Sequence, residues 1–180
     1  MKFISKENKK IHEEYLRDLK LKMSIFEKSY PELHNKSCRE ILRTKIAVTE
    51  REKAAELKAE ICAHEMYFSS FEYSNTPSLH INKTWGSEAN FLYEIMTDSD
   101  KATHGFIIVY IDPSYNVKYC ISDDILRQFL NFDPVLAIDI CEHAYFYDYR
   151  FDRREYLKAA LSQLNLSKIE KYIEKKRKKC

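Results

Sequence analysis

The spacing of apolar residues changes character part-way along this chain, and this change limits the folds open to it. In residues 4–28 apolar and aromatic side chains recur every three or four positions, and the same spacing returns in residues 54–71. Tyr30-Pro31 ends the first stretch, because proline cannot continue a helix and restricts the residue before it. A short helix is expected over residues 38–42, and Thr49-x-x-Glu52 resembles a capping box. The pattern predicts two long helices in an antiparallel hairpin.

The second half of the chain has the composition of strands. Residues 72–86 hold Pro77, Gly86 and several Ser and Asn without periodicity, and they are the best candidate boundary. The pattern then predicts a helix over residues 88–96, strands over 104–111, 117–121 and 134–138, and helices over 141–147 and from 153 to the end. The predicted class is α+β: a helical hairpin domain over residues 1–76, then an α/β domain over residues 84–180 with a small three-stranded antiparallel sheet.

Composition excludes several classes of protein. Two glycines in 180 residues leave no Gly-rich phosphate loop. Five cysteines without a C-x-x-C pair argue against a disulfide framework and against a cysteine zinc site. No apolar run approaches the roughly 20 residues of a membrane span, and no signal peptide is recognised, so a cytoplasmic protein without membrane contact is expected.

Positive charge is concentrated in the basic tail, residues 171–180, which has six Lys or Arg and one Glu, while the whole chain carries +2. The remainder is therefore negative and disfavours a nucleic-acid surface. The tail is either a solvated helix end or a contact for RNA or acidic lipid.

Three places hold a potential metal ligand where packing predicts an apolar residue. His12 lies on the apolar stripe of the first helix, and His64 lies in the seam of the second. Asp139 ends the third strand, with His143 four residues later. Imidazole and carboxylate together suit zinc, iron or manganese. The alternatives remain a hydrogen-bonded core histidine at position 64 and a helix N-cap at position 139.

Residues 137–150, AIDICEHAYFYDYR, resemble the C-terminal signature of the iron/manganese superoxide dismutase family, Asp-x-Trp-Glu-His-Ala-Tyr followed by a Tyr-rich turn. Residues 153–158 and 164–165 are similar to the closing helix of that family. Upstream, residues 54–55 and 64–68 resemble its second ligand helix, and residues 4–5 with His12 resemble its first. The resemblance implies the family's fold, a dismutase activity on superoxide, and one iron or manganese ion per chain.

Carried over residue by residue, the resemblance implies His12, His64, Asp139 and His143 as the metal ligands. The first helix allows a second alignment, because anchoring on His12-x-x-Tyr15 makes Tyr15 the gateway tyrosine and leaves Glu7 near the ligand position. We prefer His12 as the ligand.

Three further residues have roles that the resemblance implies. Tyr15 and Glu60 are the candidate catalytic residues. Glu60 precedes the second ligand by one helical turn, where iron-type members have Gln, and so it favours iron; the alternative is a charge on the helix surface. Glu142 resembles a residue that reaches across a homodimer interface.

The sequence also departs from the family pattern. The signature Trp is Cys141, the aromatic residue after the second ligand is Phe68, the closing Asn-Trp is Asn165-Leu166, and an interface Tyr is Phe146. The first three changes remove the indoles that surround the metal in that family. Two functions therefore stay open: an active dismutase, or a weak or inactive subunit with a structural role in a larger assembly. A metalloprotein with different redox chemistry is a third.

Overall fold

The computed structural model describes residues 1–71 and 78–178 of the chain. The helices of this part are α1 (Lys6–Ser29), α2 (Cys38–Ile41), α3 (Val48–Ser69), α4 (Leu79–Trp85), α5 (Glu88–Ser99), α6 (Ile125–Asn131), α7 (Glu142–Tyr149), α8 (Arg153–Leu161) and α9 (Ser167–Arg177), and the strands are β1 (Phe106–Ile111), β2 (Val117–Ser122) and β3 (Asp133–Asp139). The predicted α+β class is confirmed. Part of the predicted boundary, residues 72–77, and the last two residues of the basic tail lie outside the described residues.

The helical hairpin is formed by α1 and α3. The Ser5 hydroxyl caps α1 by accepting the N–H of Asn8. The helix ends at Ser29 with Tyr30 as its C-cap, and a 3₁₀ turn begins at Pro31. The two helices run antiparallel, since the Phe3 ring lies 4.6 Å from the Phe71 ring just beyond the two ends that meet. A small apolar cluster is buried between these helices and the segment that joins them: Leu19, Met23, Leu33, Ile41, Ala54, Ala55 and Ile61.

The capping box predicted at Thr49 is wrong. The first residue of α3 is Val48, its N-cap is Ala47, and no side chain caps it. The capping box lies at α2 instead, where the Ser37 hydroxyl accepts the N–H of Glu40 and the Glu40 carboxylate accepts the N–H of Ser37.

The sheet is antiparallel with strand order β2-β1-β3. Ile107 on the central strand pairs with Ile121 on one side and Ile138 on the other. Gly105 precedes β1 with φ of +106°, and a Cβ there would lie 2.4 Å from the Ser122 carbonyl oxygen. Only glycine fits this close approach to the end of β2. On the other side, the pairing of Phe106 with Asp139 places the start of β1 beside the end of β3.

The helices differ from the predicted ones in three places. The unpatterned stretch over residues 72–86 contains α4, which Ser78 caps, and α6 follows β2 where no helix was expected. The single closing helix is two helices, α8 and α9. The chain leaves the helix between them because the buried Asn165 donates its backbone N–H to the Ser70 carbonyl 2.8 Å away.

The end of α3 is held against the sheet. The Ala137 N–H on β3 donates to the Ser70 hydroxyl at 3.0 Å, and the surrounding apolar cluster includes Tyr67 and Ile107. This contact brings the C-terminal half of α3 beside the end of β3. Side chains from both predicted domains share that cluster, and the domain division at residues 76 and 84 stays a prediction. No helix among the described residues combines the length and the apolar character needed to cross a membrane.

Candidate metal centre

Four side chains from four elements meet in the interior of the molecule. His12 lies on α1, His64 on α3, Asp139 at the end of β3 and His143 in the first turn of α7. One ligand atom from each lies within 4.8 Å of the other three. The first three residues are fully buried, and the His143 side chain is 26% exposed. The structure therefore brings together all four residues predicted as ligands.

The Asp139 Oδ2 atom is the point on which the three imidazoles converge. It lies 3.1 Å from His12 Nε2, 3.4 Å from His64 Nε2 and 2.8 Å from His143 Nε2. Despite these distances, neither Asp139 Oδ2 nor His12 Nε2 has a hydrogen-bond partner among the described residues. Two buried polar atoms thus face each other without pairing, which is costly unless another group satisfies them.

A cation at this point would satisfy the unpaired atoms. Three imidazole nitrogens and one carboxylate oxygen are donors that suit iron, manganese or zinc. The residues present therefore fit an iron or manganese ion, with His12, His64, Asp139 and His143 as the groups that would hold it.

The electrostatics of the cluster favour the ligand form of His12 and Asp139, but they favour the protonated form of His64. Burial lowers the pKa of His12, although the Asp139 carboxylate opposes the shift. At His64 burial acts in the same direction, but contact with Asp139 outweighs it and raises the pKa. The pKa of Asp139 lies well below its ordinary range, because the three histidines overcome the cost of burying its charge. An ionised Asp139 beside a neutral His12 is the state that a metal needs.

Hydrogen bonds outside the cluster orient two of its members. The Glu60 carbonyl oxygen lies 2.8 Å from His64 Nδ1, so this nitrogen is the donor and Nε2 keeps its lone pair for the cluster. Asp139 Oδ1 accepts the N–H of Cys141 at 2.8 Å, and Tyr156 donates to the Asp139 carbonyl at 2.7 Å. Such outer contacts hold metal ligands in position.

Aromatic rings pack against the cluster, and one of them, Phe68, stands where the family pattern has an indole. The His12 ring packs 4.5 Å from Tyr67 and 5.0 Å from Phe68. The Phe106 ring meets the His64 ring edge-on at 5.1 Å. Cys141 takes the place of the signature Trp, and burial raises the pKa of its thiol to about 12, so it stays protonated.

The two predicted catalytic residues lie beside the cluster and contact each other. Tyr15 donates its hydroxyl to Glu60 Oε1 at 2.8 Å, and its ring stacks on the His143 ring at 4.3 Å. Burial and the Glu60 carboxylate raise the pKa of Tyr15. Glu60 is half-buried, which differs from the alternative of a solvated surface charge. Their catalytic roles stay predictions.

The remaining alternatives differ from the observed geometry. Glu7 is exposed in the first turn of α1 and is not a member of the cluster, whereas His12 is. Cys141, and not Asp139, is the N-cap of α7. Glu142 is exposed in the first turn of α7, and its role at an interface stays a prediction.

Sequence reasoning missed three residues at this centre: Asn8, Tyr67 and Phe106. Asn8 precedes His12 by four residues and Tyr67 follows His64 by three, so helical spacing places each on the face of its ligand and was the available signal. No local signal marked Phe106, since every residue of β1 reads as a buried strand.

The C-terminal part of the chain resembles known proteins. Residues 74–172 match the family model described as iron/manganese superoxide dismutases, C-terminal domain. The chain belongs to the iron/manganese superoxide dismutase family. A relative named superoxide dismutase [Mn], from Chlamydia trachomatis serovar D, is 33% identical over 94 residues, which cover 50% of this chain and 46% of the relative. The match therefore spans about half the length of that curated relative.

Family membership bears unequally on the four ligand candidates. Asp139 and His143 lie inside the matched segment, whereas His12 and His64 precede it. The family implies iron or manganese as the metal. The placement of the first two histidines rests on the geometry of the cluster.

Proposed function

We propose that this protein is a metal-dependent superoxide dismutase. The observation that carries the proposal is the buried Asp139 Oδ2, which three imidazole nitrogens approach within 3.4 Å and with which no hydrogen bond is formed. In a member of this family, such a cluster supports binding of one iron or manganese ion. Cycling between the +3 and +2 states is the chemistry that the ion supplies when bound: two superoxide anions and two protons become one O₂ and one H₂O₂.

In the proposed reaction Tyr15 supplies a proton, and Glu60 holds the Tyr15 hydroxyl in position. The raised pKa of Tyr15 keeps its hydroxyl protonated, and the hydrogen bond to Glu60 holds that proton beside His143 and His64. Peroxide formation consumes two protons, so a protonated hydroxyl next to the ligands is a suitable group to relay them.

We further propose iron over manganese. Glu60 is a carboxylate that only accepts hydrogen bonds when ionised, and its negative charge beside the ligand histidines stabilises the oxidised ion more than an amide does. The choice rests on this one residue.

A homodimer that packs through α7 is part of the proposal. Glu142 lies next to the ligand candidate His143 on the exposed side of this helix. The nearby apolar rings are also exposed: Phe146 at 36%, Tyr147 at 47% and Phe151 at 91%. Exposed aromatic residues clustered at one place are typical of an interaction surface.

One observation favours the second candidate function, a weak or inactive subunit. A cavity of about 510 Å³ borders the cluster through Glu60, Phe106 and Cys141. Its other acidic lining residues are Glu56, Asp123 and Asp124. Negative charge at this place opposes the approach of an anion such as superoxide.

Metal analysis combined with a superoxide assay tests the proposal. The purified protein is loaded with iron or with manganese, its metal content is measured, and superoxide decay is followed after rapid mixing. We expect about one ion per chain, decay faster than in buffer, and loss of both in Asp139→Asn. Asp148→Asn is the matched control, because the Asp148 carboxylate also accepts a backbone N–H, from Ser5, but lies outside the cluster. A fully loaded protein that leaves superoxide decay unchanged would favour the second candidate, and a protein that binds neither metal would contradict the metal centre.

A further inference from the structure

Asn8 has a buried side-chain amide whose nitrogen is hydrogen-bonded and whose oxygen is not. It lies on α1, four residues before His12, and is fully buried. Its Nδ2 donates to the Ala144 carbonyl oxygen on α7 at 3.0 Å. Its Oδ1 accepts no hydrogen bond from any described residue.

His12 also has an unpaired atom, Nδ1, on the side of its ring away from the cluster. When Nε2 of a histidine binds a metal, Nδ1 carries the proton and needs an acceptor. His64 has one in the Glu60 carbonyl, but His12 Nδ1 has no partner among the described residues. A buried N–H without an acceptor is rare in folded proteins.

The unpaired buried atoms form two sets. Among the described residues, the buried side-chain atoms without a partner are Asn8 Oδ1, His12 Nδ1, His12 Nε2 and Asp139 Oδ2. The last two face each other at the metal centre. The first two are an acceptor and a donor one helical turn apart, and residues four apart lie on the same helix face.

We propose that Asn8 is a positioning residue for His12: Asn8 Oδ1 accepts the Nδ1–H of His12, directly after a small rotation of the amide or through one water molecule. The same amide donates to Ala144, the residue after His143, which holds the side chain of Asn8 in place. The proposal rests on the metal-binding half of the proposed function, with His12 bound through Nε2.

The expected consequence is on metal affinity. An acceptor at Nδ1 fixes the tautomer and the ring orientation and makes Nε2 a stronger donor to the ion. Removing such an outer partner costs roughly 10- to 100-fold in metal affinity.

The test compares three variants of the full chain with the parent protein. Asn8→Leu removes both hydrogen bonds at similar size, and Asn8→Asp restores the acceptor but not the donor to Ala144. Tyr149→Phe is the matched control, since it removes a different bond between the N-terminal segment and α7, from the Tyr149 hydroxyl to the Phe3 carbonyl. Dissociation constants for Mn²⁺ and Zn²⁺ are measured by competition with a chelator.

We expect Asn8→Leu to weaken binding roughly 10- to 100-fold, while Asn8→Asp and Tyr149→Phe stay within about threefold of the parent. A second measurement needs no variant: in zinc-loaded, ¹⁵N-histidine-labelled protein the Nδ1–H of His12 should exchange slowly with solvent. Its ring is identified by its contact with Tyr67, 4.5 Å away.

Three outcomes would overturn the role of Asn8. The first is a metal affinity of Asn8→Leu equal to that of Tyr149→Phe. The second is an affinity of Asn8→Asp as low as that of Asn8→Leu. The third is rapid solvent exchange of the His12 Nδ1–H in the parent protein. If the parent protein binds no metal at all, the proposed function fails as well, so the two failures are distinguishable.

Discussion

Asp139 and Glu170, whose side chains are 0% and 17% exposed, are two fully or largely buried carboxylates that contact histidine. At Glu170 one carboxylate oxygen accepts from the Ser78 hydroxyl at 2.7 Å and from the His80 N–H at 3.0 Å. The other oxygen lies 2.7 Å from His80 Nδ1, while His80 Nε2 faces the Arg177 guanidinium at 3.3 Å. Both carboxylate oxygens of this cluster therefore have a protein partner.

The cluster around Asp139 also joins a carboxylate to histidine, but it has three imidazoles instead of one, and its pairing is the opposite. Asp139 Oδ2 is fully buried and contacts three imidazoles, yet it has no hydrogen-bond partner among the described residues. The two places differ in pairing: the satisfied carboxylate of Glu170 joins α9 to α4, whereas the unsatisfied oxygen of Asp139, with three imidazoles around it, is a candidate site for a cation.

The largest expected difference between the two clusters is in the stabilisation of the protein by bound metal. When free Mn²⁺ exceeds the dissociation constant a thousandfold, binding to the folded state alone adds about 4 kcal/mol to the free energy of unfolding. For a chain of this size that is roughly a 10 °C rise in Tm. Asp139→Asn should abolish the rise, and Glu170→Gln should keep it, as measured by thermal unfolding with Mn²⁺ and with chelator. If Glu170→Gln lost the rise as fully as Asp139→Asn, the contrast between the clusters would be broken.

The next largest effect is expected at Tyr15, beside the Asp139 cluster, and concerns turnover instead of metal binding. Tyr15→Phe removes the hydroxyl that donates to Glu60 but keeps the ring stacked on His143. If the hydroxyl relays protons, turnover with superoxide should fall by about 100-fold, the lower range for general acid catalysis. Metal content and the Tm rise on loading should stay unchanged. A variant that kept full turnover would remove Tyr15 from the catalytic machinery.

Glu170→Gln should show a smaller effect that depends on pH. The hydrogen bonds from Ser78 and His80 overcome burial and hold the pKa of Glu170 below its ordinary range. A depressed pKa stabilises the fold above the unfolded-state value near 4.3 and loses this contribution as pH falls through the folded-state value. Urea unfolding at pH 7 should show a loss of about 2 kcal/mol in the variant.

The difference in unfolding free energy between the parent protein and Glu170→Gln should then disappear as the pH falls below about 4. Glu174→Gln is the control, because Glu174 lies on the same helix but is exposed. A difference in unfolding free energy that stayed constant with pH would mean that the ionised carboxylate does not hold α9 to α4.

How far the sequence predicts the molecule depends on where the signal lies. His64 and Asp139 were recognised because each breaks an apolar pattern that is itself strong, a helix seam and a buried strand. The helices α4 and α6 were missed because seven residues are too few to show a period. Their caps, Ser78 and Asp124, look like ordinary loop residues until the structure shows the hydrogen bonds that they accept.

Pairing is what sequence reasoning lacks. Ser78 and Glu170 are 92 positions apart and share a hydrogen bond that no local pattern predicts. The hydrogen bond from Asn8 to α7 was missed for the same reason, because its partner is 136 positions away. The ligand types were predictable from residue chemistry. Which carboxylate is satisfied and which is not depends on tertiary contacts, and this is the property that distinguishes the two clusters.

The acidic cavity beside Asp139 provides the smallest expected effect. If superoxide approaches the metal past the carboxylates of Glu56 and Asp123, neutralising one of them should raise the second-order rate constant about two- to threefold at low salt, because repulsion of the anion is reduced. The gain in Asp123→Asn should vanish near 0.5 M salt, where screening is strong. Asp100→Asn removes the same charge at a carboxylate that pairs with Arg154 and does not line the cavity, and it should leave the rate unchanged. Equal rates for both variants at every salt concentration would show that the cavity is not the path to the metal, and would leave the exposed side of His143 as the route to test.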